Sequence, residues 1–184
     1  TVSFFPLPCR SETIRSMKQR IAIFVLEAAM AAALAWPMPA SAQQSKYAGP
    51  RPEKADVVYL KHVNKLIETE VAEAAQSEEK NKTIYRVRGA SSPVRTPMAE
   101  PIFLFKTDKL NPDKLSLYKM TVEDGQRTLA FPSRRGKDSP KPIYIMVTPV
   151  EHGIFKIEVN EFIDDGEYCL SPEGSNTVFC FTTY

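Results

Sequence analysis

The stretch from Asp164 to Tyr184 constrains the fold of this chain more than any other. Two runs of strand-forming residues, Gly166 to Leu170 and Thr177 to Thr183, flank a polar segment that contains Pro172 and Gly174. Such runs on either side of a polar turn are typical of a β-hairpin. Each run carries one cysteine, so the rest of the chain is expected to pack around a hairpin with a cysteine on each strand.

The two cysteines suggest a register for this hairpin. If Cys169 faces Cys180, then Tyr168 pairs with Phe181 and Leu170 pairs with Phe179. Because successive side chains of a strand point to opposite faces, the two apolar pairs share one face and the cysteines share the other. This register predicts that the apolar pairs point into the core and that Cys169 and Cys180 point outward, close enough to form a disulfide.

The N-terminal residues have the pattern of a secretory signal peptide. Met17 precedes the basic Lys18 and Arg20, two apolar runs follow from Ile21 to Leu26 and from Ala28 to Trp36 with Glu27 between them, and Ala40-Ser41-Ala42 comes next. A basic start, an apolar segment and small residues at the end are the three parts of such a signal. The apolar stretch is short for a membrane anchor, which is the alternative and needs about 20 residues. We therefore predict cleavage between Ala42 and Gln43.

This interpretation divides the chain into four parts. Residues 1–16 are expected to be an upstream extension that was wrongly assigned, residues 17–42 the helical signal peptide, residues 43–54 a flexible linker, and residues 55–184 the folded domain. Cys9 lies before the predicted cleavage site, which leaves Cys169 and Cys180 as a pair. A pair of cysteines in an exported chain indicates a disulfide.

Removal of the signal peptide also changes the charge of the chain. Four of the 24 Lys and Arg residues and two of the 22 Asp and Glu residues precede Gln43, so the remainder is neutral. A neutral chain gives no electrostatic reason to expect nucleic-acid binding. The sequence likewise predicts no membrane span once the signal is cleaved.

Short strands with regular turn signals occupy the predicted domain. An apolar run from Pro101 to Phe105 is typical of a central strand that is buried on both faces. Glu123-Asp124-Gly125-Gln126 and Glu151-His152-Gly153 each separate two strand-like runs and predict hairpins. The segment from Gln76 to Lys82 is highly charged and is expected to be an exposed loop. Together these features predict an all-β fold, an antiparallel β-sandwich of about eight or nine strands.

The residues before Cys169 resemble the tyrosine corner of immunoglobulin-like sandwiches. In Asp165-Gly166-Glu167-Tyr168, a tyrosine stands at the start of a late strand. The resemblance implies that its hydroxyl bonds back to the backbone. The cysteine here follows the tyrosine by one residue rather than two, and its partner lies on the next strand rather than on the opposite sheet. More broadly, the chain resembles small exported β-domain proteins of bacteria, a likeness that implies no named activity.

Catalytic and metal-binding patterns are scarce in this sequence. Of the histidines, only His62 and His152 occur, and no nucleophile, zinc or phosphate-binding motif surrounds them. Asp164, Asp165 and Glu167 form a carboxylate cluster, which offers oxygen ligands for calcium but does not have the spacing of an EF-hand loop. No cofactor, metal or catalytic residue is therefore predicted, and a solvated turn is the expected role of the cluster.

Two further groups of residues suggest binding surfaces. The densest basic loop is expected to be solvated, with contact to anionic envelope polymers or lipid headgroups as the alternative; it contains Arg134, Arg135, Lys137 and Lys141. Most aromatic residues occupy strand positions where core packing is expected; these are Phe103, Phe105, Tyr118, Tyr144, Phe155, Phe179 and Phe181. Tyr47, Tyr59 and Tyr184 are the candidates for exposed rings that stack on a sugar.

These observations favour an exported, periplasmic or extracellular protein of the bacterial envelope with a non-enzymatic binding or structural role. Its partner would be a protein or an envelope polymer. Two alternatives stay open. One is an enzyme or enzyme inhibitor with a site assembled from loops, in which His62, His152 and the carboxylates near Asp164 would take part. The other is a carbohydrate-binding module.

Overall fold

A computed structural model describes residues 47–134, 136 and 139–184. The predicted extension, the signal peptide and the cleavage site at Ala42 and Gln43 lie outside the described residues. The described part contains strands and one 3₁₀ turn, Pro112–Lys114, and no α-helix. The prediction of an all-β sandwich is confirmed. The strands are β1 (Val57–His62), β2 (Lys65–Glu68), β3 (Glu70–Glu73), β4 (Ala75–Glu79), β5 (Lys82–Arg88), β6 (Arg95–Thr96), β7 (Ile102–Lys106), β8 (Leu115–Glu123), β9 (Gln126–Pro132), β10 (Ile145–Glu151), β11 (Ile154–Val159), β12 (Gly166–Pro172) and β13 (Thr177–Thr183).

The smaller sheet has five antiparallel strands in the order β10-β11-β7-β1-β2. Its central strand is β7, the continuous apolar run seen in the sequence. Phe103, Leu104 and Phe105 of this strand are fully buried. The prediction of a central strand buried on both faces is therefore confirmed, since neighbouring residues of one strand point to opposite sides.

The larger sheet is rolled. Its strand order is β3-β13-β12-β8-β9-β5-β4, and all of these pairs are antiparallel. The two edge strands, β3 and β4, follow each other directly in the chain and are separated only by Ala74. One continuous segment thus pairs with β13 through its first half and with β5 through its second half. The sheet must curl until its two edges meet, and we call it the rolled sheet.

Aromatic side chains join the two sheets. Phe103 of the smaller sheet lies 5.0 Å from Phe181 of the rolled sheet, measured between ring centroids, and Phe105 lies 5.9 Å from Phe179. All four rings are fully buried. Tilted aromatic pairs at this spacing add favourable ring contacts to the burial of apolar area. The main core of the sandwich is therefore built on the β12–β13 hairpin, as the sequence predicted.

The register of this hairpin agrees with the prediction. Tyr168 pairs with Phe181, Leu170 with Phe179, and Cys169 with Cys180. The turn between β8 and β9 also has the predicted form. Asp124 and Gly125 both have positive φ angles, 49° and 72°. This backbone matches the twist of a two-residue hairpin, and glycine adopts it without steric cost.

Tyr168 forms the backbone contact expected of a tyrosine corner. Its hydroxyl donates a hydrogen bond to the carbonyl oxygen of Asp164 at 2.8 Å. The hydroxyl of Thr183 donates to the same carbonyl at 2.6 Å. Burial raises the pKa of the Tyr168 hydroxyl, which keeps it protonated and able to donate. The corner fixes the start of β12 against the end of β13.

Two details of the predicted strand pattern are wrong. The segment from Gln76 to Lys82 is not a loop, because most of it forms β4, which pairs with β5. Its charged side chains are tolerated since β4 lies at an edge of the sheet, where one face and one side meet water. The number of strands also exceeds eight or nine. The region from Lys65 to Glu79 is divided among three strands, and Arg95–Thr96 adds a short parallel pairing with β13.

The last residues of the predicted linker contact the domain. The side chain of Arg51 forms an ion pair with Glu151 at 2.7 Å, and Pro52 is buried. The backbone N–H of Lys54 donates to the hydroxyl of Tyr59 at 3.2 Å. Among the described residues no helix is long and apolar enough to cross a membrane.

Candidate functional site

The rolled sheet has a second buried face, on the side opposite the sandwich core. Along β8, Leu115 and Leu117 belong to the core, whereas Ser116, Tyr118 and Met120 point to the other side. The other strands of the rolled sheet alternate in the same way. The concave side of the roll thus collects one residue in two from each strand, and these residues form a separate interior.

This interior encloses a cavity of about 670 Å³. Such a volume lies within the range of small-molecule sites, which is roughly 300–1,000 Å³. Among its lining residues, Ser116 and Ser171 are partly exposed, and Ser171 precedes the loop that joins β12 to β13. Met120 and Val178 are buried, and Leu129 packs against them, so we call these three residues the deep lining. The cavity therefore has an apolar interior and a more polar opening.

Three aromatic rings form one wall of the cavity. Phe131 lies 5.9 Å from Tyr85 and 5.5 Å from Tyr118 between centroids, and both pairs are edge-to-face. These rings come from β5, β8 and β9, which are neighbours in the rolled sheet. All three are partly exposed rather than fully buried. They offer ring surface to a bound molecule, a use for which aromatic side chains are well suited because they bind apolar groups at little entropic cost.

The disulfide lies beside this cavity. Cys169 and Cys180 are bonded, and Cys169 lines the cavity wall. Both are buried in a cluster with Val87, Met120 and Val178. The prediction that the cysteines point away from the sandwich core is confirmed, but the prediction that they lie on an outer face is wrong. The rolling of the sheet covers that face and turns it into a second core.

A buried ion pair lies on the far side of the disulfide from the mouth. Arg127 has a fully buried side chain, and its Nη1 and Nη2 donate to the two carboxylate oxygens of Glu70 at 2.7 and 2.8 Å. Its Nε and Nη2 also donate to the carbonyl oxygens of Gly89 and Arg88. Burial acts to raise the pKa of Glu70, but the hydrogen bonds and the charge of Arg127 outweigh it, so that pKa lies below its ordinary value.

A second buried carboxylate, that of Glu167, lies with the Arg127–Glu70 pair at what we call the polar end of the rolled sheet. Glu167 lies two residues before Cys169 on the same face of β12. Its Oε2 accepts from the backbone N–H of Ser92 at 2.9 Å, and its Oε1 accepts from the hydroxyl of Thr182 at 2.8 Å. Both oxygens therefore have internal partners, as buried carboxylates need. These contacts tie the loop before β6 to the rolled sheet and close the end of the roll opposite the cavity mouth.

The hydrogen bonds of Glu167 to Ser92 and Thr182 give it a different environment from that of Asp164 and Asp165. Those two side chains are exposed, whereas Glu167 is buried. Within the described part of the chain, no group of three or more His, Cys, Asp and Glu side chains could hold a metal ion. The carboxylate cluster that the sequence suggested as a calcium site is thus divided, since Asp164 and Asp165 lie in the exposed segment before β12 and Glu167 lies inside the strand with a buried side chain.

The two histidines are not brought together. His62 is the last residue of β1, while His152 lies in the turn between β10 and β11. In the smaller sheet, Val57 at the start of β1 is aligned through Lys106 with Ile154. His152 therefore lies beyond the start of β1 and His62 at its end, which places them at opposite ends of the sheet. Both are exposed, and the two do not form the loop-assembled site considered above.

The candidate tyrosines do not form a row either. Tyr59 is only 5% exposed, so its assignment as an exposed ring is wrong. Tyr184 is exposed and lies under the guanidinium of Arg95 at 4.6 Å, and Tyr47 is partly buried near Arg51. Tyr144, expected in the core, is exposed instead.

In the basic loop, Arg134 and Lys141 are exposed. Arg135 and Lys137 lie outside the described residues. Contact of this loop with anionic polymers or lipid headgroups stays a prediction.

Sequence reasoning missed the cavity. The sequence predicts a core position for Tyr118 and indicates no shared location for Tyr85, Phe131 or the serines on β8 and β12. One signal was present in the sequence. In Leu115-Ser116-Leu117-Tyr118-Lys119-Met120, large side chains occur on both faces of a single strand, which indicates burial on both sides. Comparison of the chain with known protein families, with curated proteins and with solved structures finds no match.

Proposed function

We propose that this chain is an exported, non-enzymatic binding protein of the bacterial envelope, and that the cavity of the rolled sheet holds a small-molecule ligand. The observation that carries the proposal is the cavity itself, which has a volume of about 670 Å³, an aromatic wall and an apolar interior. Ligand pockets are commonly concave and combine apolar walls with placed polar groups, and the lining here has both kinds of surface.

The construction of the roll supports a binding role. A β-structure that only has to be stable would fill its interior with side chains, because empty space in a core costs stability. Here the deep half of the roll is filled by the disulfide cluster and the Arg127–Glu70 pair, whereas the half near Tyr118 is left open. An open half above a rigid, cross-linked base is the arrangement expected of a site that is formed before its ligand arrives.

Export is supported by two independent features. The N-terminal pattern from Met17 to Ala42 is that of a signal peptide, and the two remaining cysteines form a disulfide. Disulfides persist in oxidising compartments such as the periplasm. We expect the product purified from the periplasm of a bacterium that expresses the full chain to begin at Gln43 and to contain no free thiol. Mass spectrometry with and without thiol alkylation checks both points, and an uncleaved N-terminus with two alkylated cysteines would contradict the assignment.

Binding is tested by filling the cavity from one wall. N-phenyl-1-naphthylamine, an uncharged dye whose emission rises in apolar surroundings, is expected to bind the purified protein. The substitution Ser116→Phe places a ring at the cavity mouth, and we expect it to weaken dye binding at least about tenfold, since overlap with a ligand removes its contacts. Fluorescence titration measures the affinity.

Thr121→Phe is the matched control. Thr121 lies on the same strand as Ser116 but is exposed and points away from the cavity side. It receives the same new ring without reaching the cavity, so dye binding should be unchanged. Equal affinities for the wild type and both variants would mean that the dye binds elsewhere and would overturn the proposal. Thermal unfolding of each variant verifies that the fold is retained.

A further inference from the structure

The chemistry of the cavity lining narrows the class of ligand, an inference that rests on the proposed function above. The deep lining is apolar and consists of Met120, Leu129 and Val178 next to the disulfide. It carries no charged side chain among the described residues. An ionised group placed there would lose its hydration without a partner, which is costly. The deep part of the cavity is therefore suited to the apolar end of a molecule.

Uncharged hydroxyl groups also line the cavity, on residues that are partly exposed. The hydroxyls of Tyr85, Tyr118, Ser116 and Ser171 all belong to lining residues. Within the described part of the chain, none of these four hydroxyls has a protein hydrogen-bond partner. Each can both donate and accept. A bound molecule that covers them must replace the water they now contact, and a hydroxyl-bearing group is able to do so.

The charged residues at the rim disfavour an anionic head. Among the residues that the structure describes, Asp113, Lys114 and Glu173 are the charged side chains of the lining. Lys114 lies 3.9 Å from Glu173, so its charge is already partly neutralised, and the three groups together carry one negative charge. Arg134 and Lys141 of the neighbouring loop do not line the cavity. A carboxylate or phosphate at the mouth would meet this negative balance, which is a common basis for rejecting a ligand.

We propose that the cavity takes an uncharged amphiphile, with its apolar end against the disulfide cluster and its hydroxyl-bearing end at the four free hydroxyls. The apolar end gains affinity from burial beside Met120 and Leu129. The hydroxylated end gains selectivity, because a purely apolar molecule would leave the tyrosine and serine hydroxyls without partners. The aromatic wall of Tyr85, Tyr118 and Phe131 lies between the two regions and contacts both.

Three probes separate the parts of this proposal. Octyl glucoside is an uncharged amphiphile, octanoate has a similar chain with an anionic head, and glucose has the hydroxylated head alone. Isothermal titration below the micelle concentration, with the protein purified after expression of the full chain, is expected to give at least about tenfold tighter binding for octyl glucoside than for either of the other two. Octanoate binding as tightly as octyl glucoside would overturn the proposal.

A hydroxyl deletion tests the orientation of the ligand. Tyr118→Phe removes one hydroxyl and retains the ring, and it is expected to weaken octyl glucoside binding about 3- to 10-fold without weakening dye binding, since the apolar dye gains nothing from that hydroxyl. Tyr144→Phe, on an exposed tyrosine outside the rolled sheet, is the matched control and should change neither. Equal binding of octyl glucoside to the wild type and Tyr118→Phe would refute the polar end of the proposal. If neither the dye nor octyl glucoside binds, the proposed function fails as well, so the two failures are distinguishable.

Discussion

The substitution Glu70→Ala is expected to lower the free energy of unfolding by about 3–5 kcal/mol. It leaves the guanidinium of Arg127 buried without its carboxylate, because the Arg127 side chain is 0% exposed. The two carbonyl oxygens of Arg88 and Gly89 remain as acceptors, but they carry no compensating charge. Urea denaturation at neutral pH measures the loss, which is a large part of the 5–15 kcal/mol that typically stabilises a domain.

Removal of Arg127 should lower the free energy of unfolding less than removal of Glu70. Arg127→Met removes the cation and leaves Glu70, whose side chain is 21% exposed and can regain water. The double variant Glu70→Ala with Arg127→Met removes both charges and is expected to recover most of the stability lost in Glu70→Ala, since replacement of a whole buried ion pair by apolar groups is often nearly neutral. If the losses in the two single variants simply add in the double variant, the pair is not coupled and this account of the polar end is wrong.

The pH dependence of stability is a second test of the Arg127–Glu70 pair. The pKa of Glu70 is lower in the folded chain than its ordinary value, which is about 4.3 in an unfolded chain. Its ionised form therefore stabilises the fold at all pH values above about 4.3, and this contribution is lost as the pH falls below that value. The stability difference between the wild type and Glu70→Gln should consequently shrink between pH 7 and pH 3. A difference that is constant across this range would show that the charge of Glu70 is not what matters.

The features that the sequence predicted correctly are those set by neighbouring residues. The register of Cys169 with Cys180 follows from strand alternation and from the apolar pairs on either side. The Asp124-Gly125 turn follows from backbone preferences that act within four residues. The hydrogen bond from Tyr168 to Asp164 joins residues only four positions apart in the sequence. In each case the partners are close in sequence, so local physics determines the outcome.

The rolled sheet could not be predicted in this way. Its closure depends on β3 and β4, which pair with two strands that are distant from each other in the sequence. The residues of β4 are mostly polar or charged, and composition alone favours a loop for such a segment. The burial of Arg127 could not be predicted from the sequence either. A charged residue next to a hairpin turn is normally solvent-exposed, and only the arrival of Glu70 from a remote strand makes its burial favourable. The cavity lies inside the roll and was missed for the same reason.

Removal of the disulfide is expected to have the other large effect on stability. The double substitution Cys169→Ala with Cys180→Ala opens a covalent loop with a sequence separation of 11 residues. In the chain-entropy argument, a loop of this size stabilises the fold by about 3 kcal/mol, because the bond restricts the unfolded chain. For a domain of this size, that loss lowers the melting temperature by about 10 °C. Scanning calorimetry measures the shift.

Chemical reduction separates the covalent bond from the packing of its atoms. Treatment with dithiothreitol should lower the melting temperature of the wild type but leave that of the double alanine variant unchanged. Since both sulfurs lie in the apolar cluster with Val87 and Met120, the alanine variant also loses packing contacts and should melt somewhat below the reduced wild type. Because the same cluster forms the base of the cavity, dye affinity should fall in the alanine variant at temperatures where it is still folded. A melting temperature that is the same in all three forms would mean that the rolled sheet holds its shape without the bond.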